Sequence, residues 1–257
     1  MLGSAGRADS RQSSRTVEAE RFVLRDDRGN ERAIMTTANG AAFIVFTDAN
    51  RKTRLSLGVD ANGCPSILLL DSNHVNRAMV GIAPDGTSSV RVLDGAGNSR
   101  AMLLVGADGR SGLALLDSSG NTPLLLHTTP TGAGGIRVSD RSGRDRLAMG
   151  VGEDGAPAIN TFDAAGVNTT SIGSASVNLF DSVGKNRVKV GMAADGPCLN
   201  LFDRDERTGV AISVGADGRS GLTMHGKDGE TRAALGILPD GQPALQLIDR
   251  YGRPLTR

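Results

Sequence analysis

One period governs this chain. Aligned on a single acidic position, the sequence gives Asp26, Asp48, Asp71, Asp94, Asp117, Asp140, Asp163, Asp181, Asp203 and Asp249, with Gly226 in the one remaining place. Successive spacings are 22, 23, 23, 23, 23, 23, 18, 22, 23 and 23 residues. A period of this length means that each copy is one supersecondary element pair, too small to bury its apolar side chains alone, and that the copies stack on one another. About eleven repeats account for the chain, giving a repeat array over residues 18–257 after a leader of residues 1–17 that is expected to be disordered.

The columns on either side of the Asp identify the elements. Four residues before it stand Phe22, Ile44, Ile67, Val90, Leu113, Ile136, Ile159, Val177, Leu199, Leu222 and Leu245, and the column two before it is nearly as apolar. Between them lie Arg91, Arg137, Asn160, Asn178, Asn200, Thr223 and Gln246, which is the period-2 alternation of a half-buried strand. A second strand is centred nine residues after the Asp, on Met35, Leu57, Val80, Leu103, Leu126, Met149, Ile172, Val190, Ile212 and Leu235.

Two turns join these strands. The first runs Asp, two variable residues, Gly, as in Asp117 to Gly120; Asp accepts backbone N–H groups two residues on, and Gly takes the left-handed conformation that closes a tight turn. The second is clearest in Pro84, Asp85, Gly86 and Pro239, Asp240, Gly241, the pattern of a three-residue hairpin loop. Loop length tests whether the strands form hairpins, because apolar side chains of both strands must reach one face. A three-residue Ala107, Asp108, Gly109 loop sets Leu103 opposite Leu113, and in a 22-residue repeat a two-residue Asn39, Gly40 loop sets Met35 opposite Ile44. A two-residue Asp195, Gly196 loop sets Met192 opposite Leu199, and a Ser174, Ala175 turn in the 18-residue repeat sets Ile172 opposite Val177. Each deletion is matched by a shorter turn. The fold expected is therefore all-β, a long antiparallel meander of tandem hairpins, with a parallel β-solenoid as the alternative. A sheet of some 21 strands with one apolar face is expected to roll, spiral or pack into a sandwich rather than lie bare in water.

Composition excludes several functions. Lys plus Arg total 29 against 28 for Asp plus Glu, which gives no overall pull toward nucleic acid or an anionic membrane. Aromatic residues are 3% of the chain with no Trp, removing the stacking platforms that single-strand binders and many sugar-binding repeats use. No apolar run is long enough for membrane insertion, and the first 17 residues lack the apolar stretch of a signal peptide. Cys64 and Cys198 are six repeats apart, tens of ångströms in a linear array, so no disulfide is expected between them and no metal spacing is present.

Three sets of residues are candidates for function. Arg32, Arg54, Arg77, Arg100, Arg146, Arg187 and Arg232 recur six positions after the Asp or its stand-in, either as a ladder for anionic ligands or as a salt-bridge ladder with Asp71, Asp94, Asp117, Asp140 and their counterparts. The Asp turns repeat oxygen ligands in register but lack the clustered spacing of calcium loops. The position just before the Asp carries Leu70, Leu93, Leu116, Phe162, Phe180, Phe202 and Ile248 on the side away from the main apolar columns. The stripe Phe162, Phe180, Phe202 is a candidate contact surface for another subunit or a partner, or a second buried layer of a rolled sheet. His74, His127 and His225 occupy different columns, no nucleophile elbow stands beside a base, and Gly-rich stretches such as Thr131 to Gly135 lack a phosphate-loop Lys. Neither an enzyme nor a cofactor site is expected.

Asp, x, x, Gly turns alternating with Asp, Gly turns at this period resemble the YD or Rhs-type hairpin repeats of bacterial shell and surface proteins, over nearly all of residues 22–257. The Tyr that precedes the Asp in that pattern is replaced here by Leu, Phe or Ser, and the Arg column is not part of it. The resemblance implies a secreted or cell-surface β-array and carries over no catalytic residue. Together these readings give a non-catalytic structural or adhesive repeat protein that self-associates, through edge strands or the Phe stripe, or meets a surface partner. The alternative is a repeat module holding a glycan, an anionic polymer or calcium on its Arg or Asp ladders.

Overall fold

A computed structural model of the protein describes residues 16–255, so most of the expected leader lies outside the described residues. Among the described residues there are twenty-one strands and no helix. They fall in two units. The first ends at Pro84 and holds β1 (Arg21–Arg25) through β6 (Asn76–Ile82); the second begins at Asp85 and holds β7 (Ser88–Leu93) through β21 (Pro243–Leu247). Within each unit successive strands pair antiparallel, from β1 with β2 (Glu31–Ala38) to β20 (Thr231–Ile237) with β21, which is the meander expected from turn parity and excludes the parallel solenoid.

The register puts one row of large aliphatic side chains directly opposite one another. In the first unit Phe22 faces Met35, Met35 faces Ile44, Ile44 faces Leu57, Leu57 faces Ile67 and Ile67 faces Val80. In the second unit the row runs from Val90 opposite Leu103 and Leu103 opposite Leu113 to Leu235 opposite Leu245. Ile172 meets Val177 across the short repeat as its parity requires. One expectation is corrected. Met192 lies opposite Pro197 and Val190 opposite Leu199, because the two-residue loop is Ala194, Asp195, one position earlier than Asp195, Gly196. Gly196 is instead the first residue of its strand, where an added Cβ would meet the Val214 carbonyl oxygen at 2.1 Å. The shift moves the partner by two residues, so every side chain keeps its face.

Both turns have the chemistry read from their sequences. At Asp117 the Gly120 N–H donates to the Asp117 carbonyl (3.2 Å) and the Asp117 N–H to the Asn121 carbonyl (2.9 Å), with Gly120 left-handed at φ 85°. At the other Asp turns that join paired strands the register shifts just before the Asp, as between Leu69 and Leu70, so the residue before the Asp pairs with the fifth residue after it. In the loop at Ala107 to Gly109 the Gly106 N–H donates to the Arg110 carbonyl (2.8 Å), and Asn39, Gly40 form a two-residue turn with both φ positive. Where the turn lacks Gly, another residue is forced left-handed: Arg51 at φ 62°, His74 at φ 70° and Glu206 at φ 62°.

Packing is confined to neighbours within the sheet. In each unit strands contact only the strands next to them in sequence, so no second layer covers either face. Ala114, 4% exposed, is the one buried apolar residue among the described residues. The side chains that the sequence marked as a core are not buried by this chain. On the opposite face, small residues next to the second turn let backbones close in: a Cβ at Gly150 would lie 2.2 Å from the Gly134 carbonyl oxygen.

Two stability changes follow. Gly150→Ala forces that Cβ against backbone and is expected to destabilise the fold by about 1–3 kcal/mol in urea unfolding. His74→Gly relieves a left-handed non-glycine residue and is expected to stabilise by about 1 kcal/mol in the same assay; a loss of stability would show that the His74 side chain contributes contacts that outweigh its backbone strain.

Candidate functional site

Every first turn but the one that begins at Gly226 is built around its leading Asp carboxylate. Asp71 Oδ1 accepts the N–H groups of Asn73 (2.8 Å) and Val75 (3.1 Å), and Asp94 Oδ1 those of Ala96 (2.9 Å) and Asn98 (3.0 Å). Asp117 and Asp140 repeat the pattern with Ser119 and Asn121, and with Ser142 and Arg144. The second oxygen takes the Arg six positions on: Arg77 Nη1 is 3.4 Å from Asp71 Oδ2, Arg100 Nη2 2.7 Å from Asp94 Oδ2, and Arg146 Nη2 2.9 Å from Asp140 Oδ2. Arg187 pairs likewise with Asp181. Arg232, whose turn begins with Gly226, pairs instead with Asp228.

These contacts lower the pKa of the turn carboxyls. The Val75 N–H holds the Asp71 carboxyl below the ordinary carboxylate range, opposed by partial desolvation and helped by the Asn73 N–H and Arg77. The Asn98 N–H acts first on Asp94, and the Lys185 N–H on Asp181, in the same direction. For Asp117 the leading cause is the Asn121 side-chain amide. At Asp140 desolvation is the largest single influence and pushes upward, yet the Arg144 and Ser142 N–H groups and Arg146 together bring the carboxyl down.

The same Arg side chains reach the next repeat. Arg32 Nε donates to the Thr47 carbonyl (3.2 Å) and Arg54 Nε to the Leu70 carbonyl (2.9 Å), each belonging to the residue before the following Asp. A second stitch joins turn to turn: Lys52 Nζ donates to the Ser72 carbonyl (2.8 Å) and Arg144 Nη1 to the Ala164 carbonyl (2.8 Å). The guanidinium groups of Arg32, Arg54 and Arg187 thus tie one repeat to the next, an arrangement that suits a structural ladder better than an anion-binding one.

Phe162, Phe180 and Phe202 are half-buried, on the face that also carries Asn160, Asn178 and Asn200. Their cross-strand neighbours are Asn168, Asn186 and Thr208. Asn168 Nδ2 donates to Asn160 Oδ1 (3.3 Å) and Asn186 Nδ2 to Asn178 Oδ1 (3.1 Å), while the Oδ1 atoms of Asn168 and Asn186 are buried without a partner. This small amide ladder was not singled out by the repeat columns; Asn at the fifth position after the Asp in consecutive repeats is the signal that would have found it.

The opposite face is the larger apolar surface. Phe22, Met35, Leu57 and Ile67 in the first unit, and Val90, Leu103, Met149, Val190, Ile212, Leu235 and Leu245 in the second, all stand exposed. In the first unit Phe22, Met35, Ile44 and Leu57 line an open hollow of 520 Å³. Among the described residues no three His, Cys, Asp or Glu side chains gather as a metal would require, both cysteine thiols are free, and no helix is long and apolar enough to cross a membrane.

The turn carboxyls set the acid limit of the fold. Because their folded-state pKa values lie below the unfolded value of about 3.9, the stability they add is fully present above that value and is lost as pH falls from it through the folded-state pKa. Tm is therefore expected to hold from neutral pH to about 5 and to fall steeply below about 4. Since the leading cause at Asp71, Asp94 and Asp181 is a backbone N–H rather than an Arg, about 1 M NaCl at pH 7 should leave Tm nearly unchanged; a large drop in salt would give the Arg ladder the greater share.

No family model matches this chain, and no curated protein does. Among solved structures it is similar to the TCP10 domain of Danio rerio CPAP, at 13% identity and a TM-score of 0.33, covering 82% of this chain and 96% of that one. The same domain in complex with a peptide of Danio rerio STIL matches at 13% identity and a TM-score of 0.29, over 87% of this chain and 97% of that one. The TcdB2-TccC3 structure matches at 12% identity and a TM-score of 0.24, over 84% of this chain but 14% of its own. At these scores the likeness assigns neither a family nor an activity.

Proposed function

We propose that this chain is a non-catalytic structural repeat protein, presenting an extended antiparallel sheet for self-association or contact with a partner. The observation that carries the reading is the exposed apolar surface: two columns of large aliphatic side chains recur in every repeat, and no second layer within either unit covers them. Monomeric proteins rarely expose contiguous apolar patches larger than about 600 Å², and larger ones mark interaction surfaces. The repeated ionisable side chains support the same reading, because Asp closes turns and Arg ties neighbouring repeats. A ligand ladder would need Arg or Asp side chains facing outward and unengaged, whereas here Asp71, Asp94, Asp140 and Asp181 are each paired with the Arg six positions on.

The test is the mass of the full chain by light scattering at increasing concentration. The expected result is a defined or growing assembly between about 1 and about 100 μM protein. A 26.5 kDa monomer at every concentration would overturn self-association as the working principle of the protein.

A further inference from the structure

We infer that the exposed apolar face, rather than the Phe stripe, is where the protein assembles, and that its occupant is the same face of another copy of this chain; this rests on the self-association proposed above. Three properties of the face point to a second copy. The first is its composition. In the second unit the two central rows of this face, from Val90 opposite Leu103 and Val92 opposite Ala101 to Leu235 opposite Leu245 and Ala233 opposite Leu247, contain no charged residue. The charges of the repeat lie at the two kinds of turn, on the Arg ladder, and on the opposite face at Arg91, Arg137 and Lys189.

The second is its area. The second unit has fifteen strands, β7 to β21. At about 4.8 Å between strands and about 3.4 Å per residue, these two rows, about four residues tall, cover about 1,000 Å² per copy, or about 2,000 Å² for two faces together. That reaches the lower end of the range of obligate homomeric interfaces, about 2,000–5,000 Å², and lies above a transient contact.

The third is its spacing. The apolar side chains recur on every strand at one interval set by the hydrogen-bond ladder, so a covering surface must be apolar over the same length with a matching interval. Another copy of this sheet meets that requirement without any further design, and a face that packs on itself is the self-complementary patch that symmetric oligomers use. The Phe stripe is smaller by comparison, spans three repeats and is already half-buried among its neighbours.

The test separates the two faces. Leu103, Val190 and Leu235 are 53%, 50% and 56% exposed, so charges there leave the isolated sheet little disturbed. The triple variant Leu103→Lys, Val190→Lys, Leu235→Lys is expected to run as a monomer in light scattering with an unchanged β-type circular dichroism spectrum. Phe162→Ser, Phe180→Ser, Phe202→Ser is expected to keep the wild-type mass. An assembly that survives the lysines but dissociates in the serine variant would overturn the face assignment and leave the proposed self-association standing. A wild-type monomer would overturn both, and one that floats with phosphatidylcholine vesicles would give the face to lipid.

Oxidative footprinting of the wild-type chain keeps the proposal testable if the lysine variant fails to fold. Met149, Met192 and Met224 stand exposed on this face of the single chain. In the assembly they should oxidise about tenfold more slowly than exposed methionines in the urea-unfolded chain. Oxidation at the unfolded rate would show the face bare and overturn the inference.

Discussion

The structure depends on parity. Side chains on a strand alternate between faces, so one residue too many or too few in any turn would turn the whole of the next strand inside out. Each irregular repeat meets this constraint with a turn of matching length: Asn39, Gly40 in one 22-residue repeat, Ala194, Asp195 in the other, and Ser174, Ala175 in the 18-residue one. The aliphatic row therefore stays in register within both units, and its cross-strand contacts recur at every pair.

The Asp turn makes that register affordable for the backbone in chemical terms. One carboxylate oxygen satisfies two N–H groups of the turn, the other orients an Arg, and that Arg reaches a carbonyl of the next repeat. Every such turn is local to a few residues, while the Arg contact crosses to the following hairpin. The repeat is thus closed on itself and coupled to its neighbour by the same two side chains. Where Gly226 replaces the Asp, Arg232 turns to Asp228 within its own turn, which preserves an ion pair although the column is broken.

A sheet held together this way does not need a core of its own to define its strands, and within each unit it has none. The Asn ladder and Phe stripe on one face are half-covered by their neighbours, whereas the aliphatic rows on the other stand open. The asymmetry separates a surface that the sheet half-covers by itself from one that no other strand of the same unit covers.

Much of this was legible from the residues alone. Strand positions, both turn types, the antiparallel order and the pairings Met35 with Ile44, Leu103 with Leu113 and Ile172 with Val177 follow from local rules of periodicity and turn length, which act within one repeat. The loop at Asp195 lies one residue earlier than turn parity places it, because Ala194, Asp195 and Asp195, Gly196 give the same parity; in the fold Gly196 pairs with Ala193 as the first residue of its strand. The sequence also marks the columns of Ile67, Leu103 and Leu235 as apolar, but not what covers them. Periodicity reports which side chains share a face; whether that face meets another layer depends on contacts between distant strands, and in each unit the tertiary structure supplies contacts only between neighbours.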